Sequence, residues 1–234
     1  MDTNVLGTMN VLDAARACRT PRVVHTSTSE VYGTARTVPI TEDHPLQGQS
    51  PYSASKIGGD KVAESYHLAF GVPVATLRPF NTFGPRQSTR AVIPTILTQL
   101  FAGEKRIALG DLRPTRDFTF VTDTAAAFAA VGEAPAEAVV GQVMNAGTGQ
   151  EISIGDLARL LCEVTGRQAE VVQKDARLRP PNSEVMRLVC DSSRLRAATG
   201  WSPKHDLKSG LEVAASWFSK PENLARYKWN RYTL

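Results

Sequence analysis

Hydrophobic and polar positions follow a helical period in several segments of this chain. The opening segment TNVLGTMNVLDAARAC has apolar residues at helical spacing, which predicts a helix over 3–18. A second helical pattern covers 52–70 and ends before Gly71, a residue typical of helix C-caps. The same period predicts further helices at 90–102, at 123–132, from about Ser153 onward and at 207–218.

Short apolar runs between these helices predict strands. The runs lie at 22–26, 72–77, 106–109, 117–121, 142–145, 170–172 and 188–190. Residues 34–51 contain Pro39, Pro45 and Pro51 and show no period, so they are predicted as a loop. Strands that alternate with helices of this length indicate an α/β fold with a largely parallel sheet.

Composition narrows the class of protein. The 234 residues are 42% hydrophobic and 21% charged, as in ordinary globular proteins, and no apolar run approaches the ~20 residues that span a bilayer. The three cysteines lie far apart without a C-x-x-C pair, which argues against a zinc site or a disulfide framework and favours a reducing cytoplasm. The net charge of +4 suits anionic small molecules and is too small to indicate a nucleic-acid partner.

Tyr52 and Lys56 form the most informative chemical pair. They are four residues apart on the second predicted helix, so both side chains lie on one face. A cation within about 4–6 Å lowers the pKa of a phenol from about 10, and this would make the tyrosine a usable base. Thr28 follows the first predicted strand, and ligands bind at the carboxyl ends of strands in open α/β sheets.

Six segments resemble, in order, those of extended short-chain dehydrogenases/reductases of the nucleotide-sugar epimerase/dehydratase group. They are TNVLGTMNVLDAAR, STSEVYG, YSASK, LRPFNTFGPRQ, RDFTFVTD and NAGTG, which together cover residues 3–149. The resemblance implies a Rossmann-type parallel sheet that binds NAD or NADP, with NAD favoured, and a small C-terminal α+β substrate lobe. On this basis residues 1–82 and 117–146 belong to the cofactor domain, and residues 83–116 and 147–234 mainly to the substrate lobe.

The resemblance also implies roles for individual residues. Tyr52 takes the proton from the sugar O4, Thr28 hydrogen-bonds that oxygen, and Lys56 holds the nicotinamide ribose and tunes Tyr52. Thr26 is expected beside them on the cofactor side. A guanidinium gives bidentate, always-charged recognition of phosphate, so arginines figure among the expected substrate ligands. These ligands are Ser29, Asn81, Arg86, Arg116 and Arg179.

Glu30 selects among the reactions of this group. The 4-epimerases usually have small or apolar residues after the catalytic Ser/Thr, whereas hexose 4,6-dehydratases have an acid there. Once C4 is a ketone, a carboxylate can remove the acidified C5 proton and protonate the departing C6 hydroxyl. The resemblance is strongest to dehydratases acting on GDP-linked sugars, so conversion of an NDP-hexose to its 4-keto-6-deoxy form is predicted.

Other functions stay open. An NAD-dependent 4-epimerase is one alternative, and a UDP-glucuronate decarboxylase, which also resembles T-S-E-V-Y-G at this strand, is another. An alternative of a different class is a non-catalytic remnant that binds sugar or serves only in dimerisation.

The resemblance carries two further expectations. Relatives have roughly a hundred more residues at the front, including the G-x-G-x-x-G turn that seats a pyrophosphate, and this sequence has no such turn. We therefore expect an N-terminal segment to be missing from the sequence. A homodimer is expected through the helices at 3–18 and 52–70, paired as a four-helix bundle.

Overall fold

A computed structural model describes residues 1–174, 177 and 185–228. The helices are a π-helical turn Asp2–Leu6 that continues into α1 (Gly7–Ala17), a 3₁₀ turn Ser29–Tyr32, α2 (Pro51–Phe70), α3 (Val92–Phe101), α4 (Val121–Glu133), α5 (Ala136–Val139), α6 (Ile154–Thr165), α7 (Ser193–Thr199), α8 (Leu207–Phe218) and α9 (Pro221–Leu224). The strands are β1 (Val23–Thr26), β2 (Val74–Pro79), β3 (Asn81–Phe83), β4 (Arg106–Leu109), β5 (Thr115–Arg116), β6 (Phe118–Phe120), β7 (Val143–Ala146), β8 (Ile152–Ser153), β9 (Glu170–Gln173) and β10 (Arg187–Leu188).

The central sheet has the order β1-β2-β7, and both pairings are parallel. Successive side chains of β2 face opposite sides, as the pleat of a strand requires. Val74 packs with apolar residues of α1 and α2, whereas Ala75 and Leu77 pack with residues of α4. Helices therefore cover both faces of the sheet, which is usual for parallel sheets and confirms the predicted α/β fold.

Strand β1 forms one edge of this sheet in the part of the chain that the structure describes. Its first three residues are half-buried, and Thr26 at its carboxyl end is exposed. The outer N–H and C=O groups of an edge strand have no partner in the sheet. The face of the molecule beside Thr26 is therefore open.

A second apolar core lies among α3, α6 and α8, with β4 and β6 against them. Two short sheets accompany it: β4 pairs with β9, and β5 lies between β10 and antiparallel β8. This mixture of helices and parallel and antiparallel strands matches the expected α+β character of the C-terminal part.

The strand predicted at 117–121 is found shortened as β6, and the short strand β5, which was not predicted, precedes it. Asp117 is fully buried between β5 and β6, and its carboxylate accepts hydrogen bonds from the backbone N–H groups of Thr148, Gly149 and Cys190. Because these partners lie far away in sequence, the break at Asp117 has no local signal. It places Arg116 in the sheet of β10 and β8, whereas β6 pairs with β3.

Most other predicted elements are found with small shifts at their ends, while the short elements β3, β8, α5, α7 and α9 were not predicted. Within the described residues, no helix combines the length and apolarity that crossing a bilayer requires.

Candidate active site

Thr28 and Glu30 lie in a tight turn just beyond the carboxyl end of β1. Thr28 has an extended backbone and caps the 3₁₀ turn Ser29–Tyr32, because its side-chain oxygen accepts a hydrogen bond from Glu30 N at 3.3 Å. The Thr28 side chain also lies near the Tyr52 hydroxyl and acts to lower its pKa. The structure therefore brings Thr28, Glu30 and Tyr52 together.

Helix α2 starts directly before Tyr52 for local reasons. Ser50 and Ser53 form a capping box, and Pro51 occupies the first helical turn, where a missing N–H costs nothing. Tyr52 and Lys56 occupy its first two turns. The Lys56 ammonium donates a hydrogen bond of 2.5 Å to the backbone oxygen of Thr26, so α2 is fixed to the exposed end of β1.

The electrostatics of Tyr52 differ from the prediction. Burial and then the Glu30 carboxylate raise the pKa of Tyr52, and the neighbouring Thr28 side chain opposes them only in part. Burial lowers the pKa of Lys56. The expected lowering of the tyrosine pKa by Lys56 is not found, because the ammonium is directed to the Thr26 carbonyl. In the protein without ligands, the phenol is therefore held protonated at neutral pH.

A cavity of about 370 Å³ opens beside Glu30. Asn81 and Arg116, both predicted as substrate ligands, line it together with Glu30. Among the other polar or charged residues of its lining, which the sequence did not single out, are Gln87, Arg90, Asp111 and Arg177. The cavity thus combines two carboxylates with three guanidinium groups and two amides, a set suited to a polar anionic ligand.

Two buried amide oxygens in this lining, Asn81 Oδ1 and Gln87 Oε1, have no hydrogen-bond partner in the described part of the chain. Buried acceptors in folded proteins nearly always find a donor. A ligand that carries hydroxyl or N–H groups would supply these donors.

Other predicted site residues stand apart from this cavity. Arg86 is exposed, adopts a left-handed backbone with φ of 67°, and is not among the residues that line the cavity. Ser29, the first residue of the 3₁₀ turn, is only 2% exposed. Arg179 lies outside the described residues. Gln87, next to Arg86, enters the lining instead, and its amide N–H donates to Thr82 O at 2.7 Å.

The residues at the end of β1 fit the ribose of a nicotinamide nucleotide. Lys56 uses one of its three N–H donors on Thr26, and no other protein partner lies within the described ranges. Tyr52, at 48% exposure, stands one turn earlier on the same helix. A vicinal diol is a suitable acceptor for the remaining ammonium donors.

Known proteins resemble this chain in sequence and in fold. The model of the family described as GDP-mannose 4,6 dehydratase matches residues 1–213. The chain belongs to this family. A dTDP-glucose 4,6-dehydratase of Streptomyces griseus is 35% identical over 218 residues, which are 93% of this chain and 65% of that protein. A putative UDP-glucose 4-epimerase of Methanocaldococcus jannaschii is 31% identical, and the match covers 92% of this chain and 69% of that protein.

Among solved structures, the dTDP-glucose 4,6-dehydratase of Bacillus anthracis in complex with NAD superposes with a TM-score of 0.83 at 30% identity. That match covers 94% of this chain and 69% of the other. The chain thus spans about two thirds of the length of the family members it matches. Nowhere in the described ranges do three or more His, Cys, Asp or Glu side chains gather closely enough to hold a metal ion.

Proposed function

We propose that this chain acts as an NAD(P)-dependent nucleotide-sugar 4,6-dehydratase, which converts an NDP-hexose to its 4-keto-6-deoxy form. The position of Glu30 carries the proposal. Its carboxylate lines the cavity and acts electrostatically on Tyr52, so one sugar can meet both groups. Membership of a family whose named relatives include dehydratases and epimerases supports an enzyme of this type, and NAD in the Bacillus anthracis structure supports the cofactor.

Oxidation at C4 is assigned to Tyr52 and Thr28. Thr28 hydrogen-bonds O4 and Tyr52 accepts its proton, while Lys56 holds the ribose of the cofactor. A nicotinamide bound there would supply the acceptor for the C4 hydride and its donor to C6. Burial and Glu30 keep the phenol protonated in the free protein, so its deprotonation requires positive charge to be brought close on ligand binding.

Elimination of water is assigned to Glu30. The carboxylate removes the C5 proton, which is acidic because C4 is a ketone, and delivers a proton to the C6 hydroxyl as it leaves. One C–H and one C–O bond break, and water departs. With the hydride returned to C6, and a proton equivalent to the one taken from O4 returned to C5, the overall change is redox-neutral.

The diphosphate is assigned to the guanidinium groups of the cavity, Arg90, Arg116 and Arg177, together with the predicted Arg179. Arg86 and Ser29 do not enter this assignment. In this proposal residues 83–116 and 147–234 hold the nucleotide sugar, and residues 1–82 and 117–146 hold the cofactor. GDP is the proposed nucleotide, on the basis of the sequence resemblance described above, and the named dTDP and UDP relatives define the alternatives to test.

The test is incubation of the chain with NAD and GDP-, dTDP- or UDP-linked hexoses, followed by detection of the 4-keto product through its absorbance in alkali. We expect product with a GDP-hexose and at least about a hundredfold less with Glu30→Gln. Glu137→Gln, the same change at an exposed position, should leave the rate unchanged. Full turnover by Glu30→Gln, or formation of a C4 epimer without a keto sugar, would contradict the proposal and favour an epimerase.

A second candidate is a chain that binds the sugar without turning it over. The edge of β1, which no strand of the described residues pairs with, favours it, because the proposed cofactor contacts lie at that edge. Calorimetry with NAD separates the two: micromolar binding is expected of the enzyme, and absence of detectable binding would favour the second candidate.

We also propose a homodimer through the predicted helices at 3–18 and 52–70. Helices α1 and α2 carry several large apolar side chains that are at least one third exposed, namely Met9, Val11, Leu68 and Phe70. Sedimentation of the purified chain should show a dimer, and a monomer at high concentration would refute it.

A further inference from the structure

A chain of buried polar side chains runs beneath the candidate site and is not used by the chemistry proposed above. It links α2, β1, β2, the 3₁₀ turn and β7. Its members are His25, Ser27, Tyr32, Asp60, Arg78 and Asn145.

Asp60 is its centre. One carboxylate oxygen accepts from Ser27 Oγ at 2.8 Å and from Arg78 Nε and Nη2 at 3.1 and 2.9 Å, and the other lies 3.1 Å from His25 Nε2. Burial raises the pKa of Asp60, but the hydrogen bond from His25 and the charge of Arg78 outweigh it and lower the pKa, so the carboxylate is ionised at neutral pH.

At one end of the network, these contacts join helix α2 to the backbone that follows β1. Asp60 follows Lys56 by one turn of α2, and Ser27 directly precedes Thr28. The 2.8 Å hydrogen bond between Asp60 and Ser27 therefore fixes the helix that carries Tyr52 and Lys56 to the backbone that carries Thr28.

The other end of the chain reaches the turn that carries Glu30. Arg78 Nη1 donates to the Tyr32 hydroxyl at 2.9 Å, and that hydroxyl donates to Asn145 Oδ1 at 2.7 Å. Tyr32 is fully buried and is the last residue of the 3₁₀ turn, two residues after Glu30. Through Arg78, Asp60 thus also holds the far side of the turn.

Stability alone does not account for such a network, because well-packed apolar residues are often equal or better in place of a buried ion pair. Matched donors and acceptors instead favour one arrangement of the elements that supply them. Catalytic groups need this, since a displacement of about 1 Å can cost roughly a hundredfold in rate.

We propose that Asp60 is a positioning residue, which through Ser27 and through Arg78 and Tyr32 holds the Thr28–Glu30 turn in contact with Tyr52. Its value for catalysis rests on the proposed function, whereas the positional claim is independent of it and can be measured without substrate or cofactor.

The test follows the titration of the Tyr52 phenol in the 234-residue chain, by fluorine NMR with 3-fluorotyrosine and assignment through Tyr52→Phe. The variants are Asp60→Asn and the charge-neutral Ser27→Ala and Tyr32→Phe. Because Glu30 moves away from the phenol when the turn is released, we expect the midpoint to fall by about half a pH unit or more. Glu64→Gln, one turn further along α2, is the matched control and should not move it.

A residue that only stabilises the fold would lower the melting temperature and leave the Tyr52 midpoint in place. That result, in any variant that folds, would overturn the proposal. Should Asp60→Asn fail to fold, Ser27→Ala decides, because it removes a single hydroxyl without changing charge. Partial return of the midpoint in Asp60→Glu would support the role of the carboxylate.

Activity provides a second readout once turnover is established. Ser27→Ala and Tyr32→Phe should lower kcat by at least about tenfold while KM for the nucleotide sugar stays within about twofold, because the arginine and amide groups of the cavity wall lie outside the turn and stay in place. If no sugar is turned over, the proposed function fails, and the titration still decides the positional claim.

Discussion

Strands and helices from both parts of the chain form the walls of the cavity beside Glu30. The other half of the candidate site lies at the end of β1 and makes few contacts with its surroundings. Asn81, Arg116 and Glu30 all line this cavity. Lys56 and Tyr52 stand at an exposed strand end, and a single hydrogen bond ties the ammonium to Thr26. From this contrast we expect that a substitution at Tyr52 can remove the proposed proton transfer while binding of the nucleotide sugar in the cavity is kept.

Replacement of Tyr52 by Phe should give the largest separation. Removal of a general base typically costs 10²–10⁴-fold, so we expect turnover to fall by about a thousandfold while binding of a nucleoside diphosphate in the cavity changes less than about twofold. Equilibrium binding and product formation measure the two effects. Tyr66→Phe, on the exposed surface of the same helix, is the control. Equal loss of binding and turnover would show that the two regions are not separable.

The network of buried polar side chains beneath both regions should make the free energy of unfolding depend on pH in alkali. Burial raises the pKa of Tyr32 from 10.0 to about 12. The neutral phenol is therefore favoured by the fold, and its contribution is complete below pH 10 and lost as the pH rises towards 12. The loss should amount to about 3 kcal/mol in the free energy of unfolding, at roughly 1.4 kcal/mol per pH unit.

Urea unfolding between pH 9 and 12 measures this loss. Tyr32→Phe should be less stable at pH 9, because Arg78 and Asn145 lose a partner, yet its stability should vary less with pH across the window. An unchanged slope in Tyr32→Phe would assign the alkaline transition to other groups.

A smaller effect is expected at the cavity wall. Arg116→Ala should weaken binding of a nucleoside diphosphate by roughly tenfold to a hundredfold, since charge-assisted hydrogen bonds contribute about 1.5–3 kcal/mol. Arg106→Ala, which removes an exposed arginine paired with Glu170, should not affect it. Calorimetry with GDP checks both variants, and equal affinities for Arg116→Ala and the parent would remove Arg116 from the diphosphate site.

Local patterns predicted the elements whose ends are set by their own residues. Helix α8 runs from Leu207 to Phe218 as predicted, because Asp206 caps its start and its apolar residues keep one period. Helix α6 likewise begins after its cap, Ser153, and strand β4 has the predicted ends.

Contacts between distant residues account for what the sequence did not predict. Asp117 is excluded from the strand predicted at 117–121, because its carboxylate binds backbone groups more than thirty residues away. His25 bonds Asp60 across 35 residues, a contact that no local pattern indicates. The spacing of Tyr52 and Lys56 placed both on one helix face, but could not reveal that the ammonium binds a backbone carbonyl of β1.

The most direct test of Tyr52 and Glu30 acting in succession on one sugar uses a nucleotide hexose that carries deuterium at C4. After incubation with the chain and NAD, we predict a 4-keto-6-deoxy product with the deuterium at C6. Deuterium retained at C4 of an epimerised hexose would contradict the dehydratase and assign the site to an epimerase.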